Sequence, residues 1–231
     1  MALTDDDLQQ PVSDSEIVDR VIAAVMEQKL AVGAKLPEIA LCEAFGCNRT
    51  QIRRVLVVLA ERGVVSLHAN RGAFIASPDA DEARDVFEAR RAIERSIALD
   101  AAERIDAETL ADLNANIVAC SEAEEHDRRG DSIRCSGQFH LRLAKAAGNA
   151  VLQKFLEELV TRTSLIIGLY GARNQRSCSV EEHIKLVEAL EAHDGGRAAD
   201  LMESHLRHVE NALNISDAVD EPVDIRRAFA E

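Results

Sequence analysis

A chain of 231 residues with 27 Lys+Arg against 41 Asp+Glu carries a formal net charge of −14; 47% of it is hydrophobic, enough for a packed core and too much for wholesale disorder. Aromatics are 3%, with one Tyr and no Trp, which disfavours alternating strands and points to helices rich in Ala, Leu and Glu. No apolar run approaches the roughly 20 residues of a membrane span, and the acidic start from Met1 to Asp7 leads into no apolar core, so the expected location is the cytoplasm.

In chain order, residues 1–12 read as a flexible N-terminus. Ser13-x-x-Glu16 is a capping box that opens a helix to about Leu30, with Ile17, Val21, Ile22 and Val25 on one face. Gly33 ends that turn. Pro37 begins a short helix through Phe45, broken at Gly46. Asn48-x-x-Gln51 caps a third helix whose Ile52, Val55, Leu56 and Leu59 form an i, i+3, i+4, i+7 stripe, stopped at Gly63. Two β-prone runs follow, Val64–Leu67 and Ala73–Ala76, joined by a tip in which Asn70 and Gly72 tolerate positive φ. Three short helices and a hairpin predict a winged helix-turn-helix over residues 13–77.

Ser77-Pro78 punctuates the chain, because proline lacks a donor and drives its predecessor out of helical geometry. Residues 78–216 then read as an all-helical antiparallel bundle, so the predicted class is mostly α. The expected helices run from Asp79 to about Arg104, Asp106 to near Arg129, Asp131 to Ala147, Asn149 to about Tyr170, and Ser179 to His193. A last one runs from Arg197 to about Ser216, after a stop at Gly195-Gly196. The tail, 217–231, carries Pro222 and several acids and is expected to fray. Cys42, Cys47, Cys120, Cys135 and Cys178 are odd in number and form no C-x-x-C pair, which argues against a disulfide framework or thiolate zinc site.

The third helix must turn its apolar stripe inward, leaving Arg49, Thr50, Arg53 and Arg54 outward near its N-terminal end, where a helix in a major groove reads bases. Arginine forks onto guanine or clamps phosphate, and Thr50 bonds phosphate. From Arg49 to Gly72 there are five arginines and one acid, a basic cluster within an acidic chain. Arg71, at the hairpin tip, suits a minor groove or flanking phosphate.

Leu36-Pro37-Glu38, Leu41, Phe45-Gly46, Asn48-Arg49-Thr50, Ile52-Arg53, Leu56, Leu59, Gly63-Val64-Val65 and Asn70-Arg71-Gly72, in that order, resemble the N-terminal domain of GntR-family transcription regulators. The resemblance implies operator contacts from Arg49, Thr50, Arg53 and the wing residues Arg71 and Gly72, and Asn70 beside them is counted with the expected DNA-binding residues. Ile39 stands where the family usually has arginine, and Gln51 and Arg54 where it often has Pro and Glu. The pattern therefore loses one DNA contact and gains a candidate in Arg54.

Residues 80–216 resemble the FCD domain of the FadR-type branch, through Glu88, Arg90, Arg91, Ile93, Glu94, Phe139-His140, Ala147-Gly148-Asn149, Glu182-His183 and His205-Leu206. The resemblance implies a divalent metal, zinc or nickel, held by His140, His183 and His205. Ser136 occupies the position of the usual acidic ligand, one turn before His140. Spacing alone favours three unrelated histidines, two of them on helix surfaces, and it is the resemblance that reverses this reading. Arg90 and Glu94, an i, i+4 pair, read either as an exposed ion pair or, by resemblance, as a bundle-interior arginine gripping an effector carboxylate near Ser136. The expected function is a homodimeric, ligand-responsive regulator, not an enzyme: a repressor released from a palindromic operator by a small organic acid. A metallo-hydrolase using the three histidines is the alternative.

Overall fold

The computed structural model describes residues 12–171, 180–215 and 225–229. The expected starts of the N-terminal helices hold because their caps form. Ser13 Oγ accepts from Glu16 N at 3.2 Å and Asn48 Oδ1 from Gln51 N at 2.9 Å, covering amides that a helix start leaves without partners. The head comprises α1 (Asp14–Met26), β1 (Lys35–Leu36), α2 (Glu38–Phe45), α3 (Arg49–Glu61), β2 (Val65–His68) and β3 (Gly72–Ile75). The three strands form one antiparallel sheet in the order β1-β3-β2, with Leu67 opposite Ala73 and His68 opposite Gly72. Gly46 takes φ +61, the left-handed turn that lets α2 and α3 cross closely.

Two features of the head differ from expectation. The first helix stops at Met26 rather than near Leu30, because Gln28 adopts φ +56 and the amides of Lys29 and Leu30 turn back to Ala24 O. A glutamine in left-handed geometry leaves no sequence signal. Strand β1 is the second difference. It is two residues long and exists through pairing with β3 nearly forty residues on, Lys35 opposite Phe74 and Leu36 opposite Ala73.

The bundle comprises α4 (Ala80–Arg104), α5 (Ala107–Glu125), α6 (Arg129–Ala147), α7 (Ala150–Tyr170), α8 (Val180–Glu191) and α9 (Gly195–Asn211). Asp79, Asp106 and Asn149 cap α4, α5 and α7 as expected. The expected Ser179 cap and Cys178 lie outside the described residues. Helix α9 begins at Gly195 rather than Arg197: Asp194 Oδ1 accepts from Arg197 N at 3.0 Å, and His193, at φ +52, makes the break assigned to the glycines. The same helix ends at Asn211, short of Ser216, where Asn214 N turns to Tyr170 O. The bundle core is aliphatic and small-residue-rich, with Ala98, Ala101, Leu143, Leu190, Ala199 and Met202 fully buried around Phe139.

Head and bundle share packing. Leu165 of α7 is buried in the head core, and Met26 of α1 joins Phe87, Ile133, Ile167 and Tyr170 in a bridging cluster. Tyr170 donates its hydroxyl hydrogen to Pro78 O at 2.7 Å, pinning the linker. The expectation of a frayed tail fails for its last stretch. Helix α10 (Ile225–Ala228) with Phe229 buries Ile225, Ala228 and Phe229 in the head core, and the Phe229 ring lies 4.7 Å from that of Phe45. Three apolar residues after an acidic run are too few to register as periodicity; they bury because the head offers Phe45. Of the described cysteines, Cys120 is buried and Cys42, Cys47 and Cys135 are half-buried, all as free thiols. No helix among the described residues is long and apolar enough to cross a membrane.

Candidate functional site

The reading face follows from the burial of α3. With Ile52, Val55, Leu56 and Leu59 inward, Arg49, Thr50, Arg53 and Arg54 are exposed, as are Asn70, Arg71 and Gly72 on the wing. Asn70 takes φ +61 and Gly72 φ +96, which turns the tip outward. Arg71 sits over the Phe74 ring, 5.5 Å from its centroid, so the wing arginine is braced by an aromatic face.

Acidic partners on this face were not anticipated from the sequence. Arg54 forks onto Asp14, Nε at 2.9 Å and Nη2 at 3.2 Å, and Arg53 Nε donates to Glu38 Oε1 at 2.9 Å. The arginine hydrogen bonds hold both carboxyls below the usual carboxylate range. Arg49 and Arg71 form no ion pair among the described residues. The four basic groups are therefore not equivalent: two carry acids that any phosphate must displace.

The second site is built in the bundle from five helices. Arg90 and Glu94 come from α4, His140 from α6, Thr163 from α7, His183 from α8 and His205 from α9. Arg90 and Glu94 are 4% and 0% exposed, which overturns the exposed-pair reading. His140, His183 and His205 are 1%, 0% and 1% exposed, and their donor atoms lie within 4.8 Å of one another, which overturns the surface reading of two of them. No Asp, Glu or Cys joins that group among the described residues. Ser136 is half-buried on α6, one turn before His140. The His183 ring stacks on Phe139 with centroids 4.0 Å apart, which fixes its plane.

The carboxylates that organise this centre escaped sequence reasoning. Glu94 accepts twice: Oε1 from Arg90 Nε and Oε2 from His140 Nδ1, both at 2.5 Å. Glu182 Oε2 accepts from His205 Nδ1 at 2.7 Å and its Oε1 from His208 Nδ1 at 2.5 Å. The sequence marks Glu94 as part of the FCD resemblance and as an i, i+4 partner of Arg90, with no sign of His140; their bond spans forty-six residues. Burial by itself would raise the Glu94 carboxyl, but Arg90 and His140 outweigh it and hold the group at about 2. Burial pushes the His140 imidazole down to about 4 against the pull of Glu94. At neutral pH the pair is thus an ionised carboxylate and a neutral imidazole.

Arg90 Nη1 donates to Thr163 Oγ1 at 2.8 Å, while Thr163 gives its own hydrogen to Leu159 O. Arg90 Nη2 is buried with no hydrogen-bond partner among the described residues. A buried charged donor left unsatisfied is destabilising by about 1–3 kcal/mol or more, and such groups in folded proteins call for an acceptor. The donor set suits a divalent ion: converging buried imidazoles, two of them oriented through Nδ1 by carboxylates, as metal-binding histidines commonly are. The cleft where head meets bundle, ≈ 380 Å³ and lined by Arg62, Pro78, Glu82 and Arg162 among others, includes none of these residues.

Comparison with known proteins agrees with this division of labour. The family described as "Bacterial regulatory proteins, gntR family" matches residues 14–75, and the FCD domain matches residues 85–208. The "Putative L-lactate dehydrogenase operon regulatory protein" of Escherichia coli is 29% identical, over 91% of this chain and 89% of that protein. The HTH-type transcriptional regulator LutR of Bacillus subtilis is 26% identical, over 80% of this chain and 94% of its own length. The structure of E. coli McbR/YncC superposes with a TM-score of 0.70 at 17% identity, covering 84% of this chain and 93% of that one. A GntR protein from Rhodococcus sp. RHA1 gives 0.72 at 18% identity, covering 86% and 95%. These relatives are regulators, so the metallo-hydrolase alternative has no support. With a winged reading head followed by a helical effector domain, the chain belongs to the GntR family of transcription regulators and carries an FCD domain.

Proposed function

We propose that this regulator is a cytoplasmic homodimer that represses transcription from a palindromic operator and is released by a small organic acid, with a divalent metal assisting. The carrying observation is the buried Nη2 of Arg90, which has no acceptor among the described residues although Nε and Nη1 are both engaged. A carboxylate supplies that acceptor and the compensating charge. His140, His183 and His205 would hold zinc or nickel. The ion would supply positive charge and an open coordination position that Ser136, a hydroxyl where the FCD resemblance implies an acidic ligand, leaves to the effector. The operon named for the E. coli relative puts L-lactate among the first acids to test.

On the head, Arg49, Thr50, Arg53, Arg54, Asn70, Arg71 and Gly72 form the operator face, Arg49 reading bases and Arg71 positioning the wing. The response is a population shift: the effector favours a bundle packing in which two heads no longer match the half-site spacing. Helix α7 supports this route. Its Thr163 accepts from Arg90, and two residues on, Leu165 is buried in the head core.

Calorimetry with a panel of short-chain carboxylic and hydroxy acids, with and without Zn²⁺ or Ni²⁺, tests the reading, followed by operator release with the acid that binds. Arg90→Met should weaken that acid by about 10–100-fold, the worth of a charged hydrogen bond. Wild-type affinity in the Arg90→Met protein, or no metal binding by the wild type at micromolar concentrations, refutes it.

A further inference from the structure

Resting on the metal reading above, we infer that Glu94 is the positioning residue of the effector site: one carboxylate selects the metal-binding tautomer of His140 and neutralises Arg90 at once. The argument is one of donors and acceptors. An ionised carboxylate only accepts, so His140 Nδ1, 2.5 Å from Glu94 Oε2, must carry a hydrogen. A neutral imidazole has one N–H and one lone pair, so the lone pair is on Nε2, the form in which a histidine binds metal through that nitrogen. The other oxygen of Glu94 accepts from Arg90 Nε and Thr163 accepts from Nη1, so Nη2 is the guanidinium nitrogen left without a partner among the described residues. Glu94 is completely buried, so no water can substitute for either contact.

This makes the metal ligand and the anion-binding arginine neighbours across a single acceptor pair. Glutamine is the same size as glutamate but has one accepting oxygen and one donating NH₂. In Glu94→Gln the oxygen can serve Arg90 or His140, never both. Facing Arg90, the amide NH₂ meets His140 Nδ1, which must become the acceptor, and the imidazole hydrogen moves to Nε2, where metal should bind. Facing His140, the amide NH₂ opposes the Arg90 Nε–H. Without Arg90 the conflict disappears, and the oxygen of the introduced amide is at liberty to accept from His140.

Glu182 provides the internal comparison. It too accepts twice, in its case from His205 and His208, but His208 is exposed and can turn to water, so Glu182→Gln keeps an oxygen for His205.

Zn²⁺ and Ni²⁺ alone, titrated calorimetrically into the full chain, are the probes. We expect Glu94→Gln to weaken metal binding by about 10–100-fold, the usual effect of losing a residue that orients a ligand. Glu182→Gln should weaken it less, and the double variant Arg90→Met with Glu94→Gln should regain most of the loss. Unchanged affinity in Glu94→Gln, or a loss that the double variant does not recover, overturns the inference. Long-range ¹⁵N NMR of the metal-free wild type at neutral pH tests the same point without a variant. A hydrogen on His140 Nδ1 supports the assignment, and one on Nε2 overturns it, including where Glu94→Gln fails to fold. Should the wild type bind neither metal, the metal reading fails, while the tautomer still decides what Glu94 does.

Discussion

Arg54 is held by Asp14 in a two-pronged contact, 2.9 Å from Nε and 3.2 Å from Nη2, on a face where it is expected to meet phosphate. Both groups are exposed, at 59% and 40% of their side-chain area, so the pairing is easily exchanged for another anion. Asp14→Asn removes the acid while retaining a side chain that can still hydrogen-bond at the start of α1. Ser13, the residue that caps that helix, is untouched. The substitution therefore frees one arginine per protomer for the operator and deletes a negative charge from the reading face. Each additional phosphate neutralised steepens the slope of log K against log [salt] by about 0.9, so a dimer should steepen by about 1.8, with tighter binding at low salt. Fluorescence anisotropy of a labelled operator across a salt series measures that slope directly. A slope equal to the wild type's would mean that Asp14 does not compete with the operator for Arg54, and would refute the reasoning.

Arg49→Ala should erase discrimination between matched and scrambled operators, a loss of about 1–3 kcal/mol per base contact, whereas Arg71→Ala should weaken both alike; equal loss of specificity from the two would refute the division of roles. Gly168→Ala places a Cβ 3.0 Å from Met26 Cα and 3.4 Å from Val25 O, backbone atoms that cannot swing aside. It should destabilise the fold by about 1–3 kcal/mol despite alanine's better helix propensity, and a raised melting temperature would show that the contact between α1 and α7 gives way. The metal-free protein should be acid-labile in two stages. The unfolded state takes up protons first in both cases, so stability falls from about pH 6.5 to 4 as His140 resists protonation and from about 4.5 to 2 as Glu94 does. Each slope is at most about 1.4 kcal/mol per pH unit. Denaturation at stepped pH would refute this if stability were flat over that range.

The sequence by itself determined whatever rests on local chemistry. Ser13, Asn48, Asp79 and Asp106 cap helices because an oxygen three residues before an amide needs nothing distant. The stripe of Ile52, Val55, Leu56 and Leu59 determined which face of α3 is left for Arg49, Thr50, Arg53 and Arg54. The three histidines could be named from the motifs around them. Their convergence could not, since they lie on three helices and meet only when α6, α8 and α9 share a core. Tertiary structure alone decided that Arg90 and Glu94 are buried rather than exposed, because the i, i+4 spacing is the same on either face of α4. It likewise decided that Glu94 serves His140, that Asp14 and Glu38 occupy Arg54 and Arg53, and that Phe229 returns to the head beside Phe45. Each joins residues between fifteen and nearly two hundred positions apart, and sequence periodicity carries no information about pairs at that range.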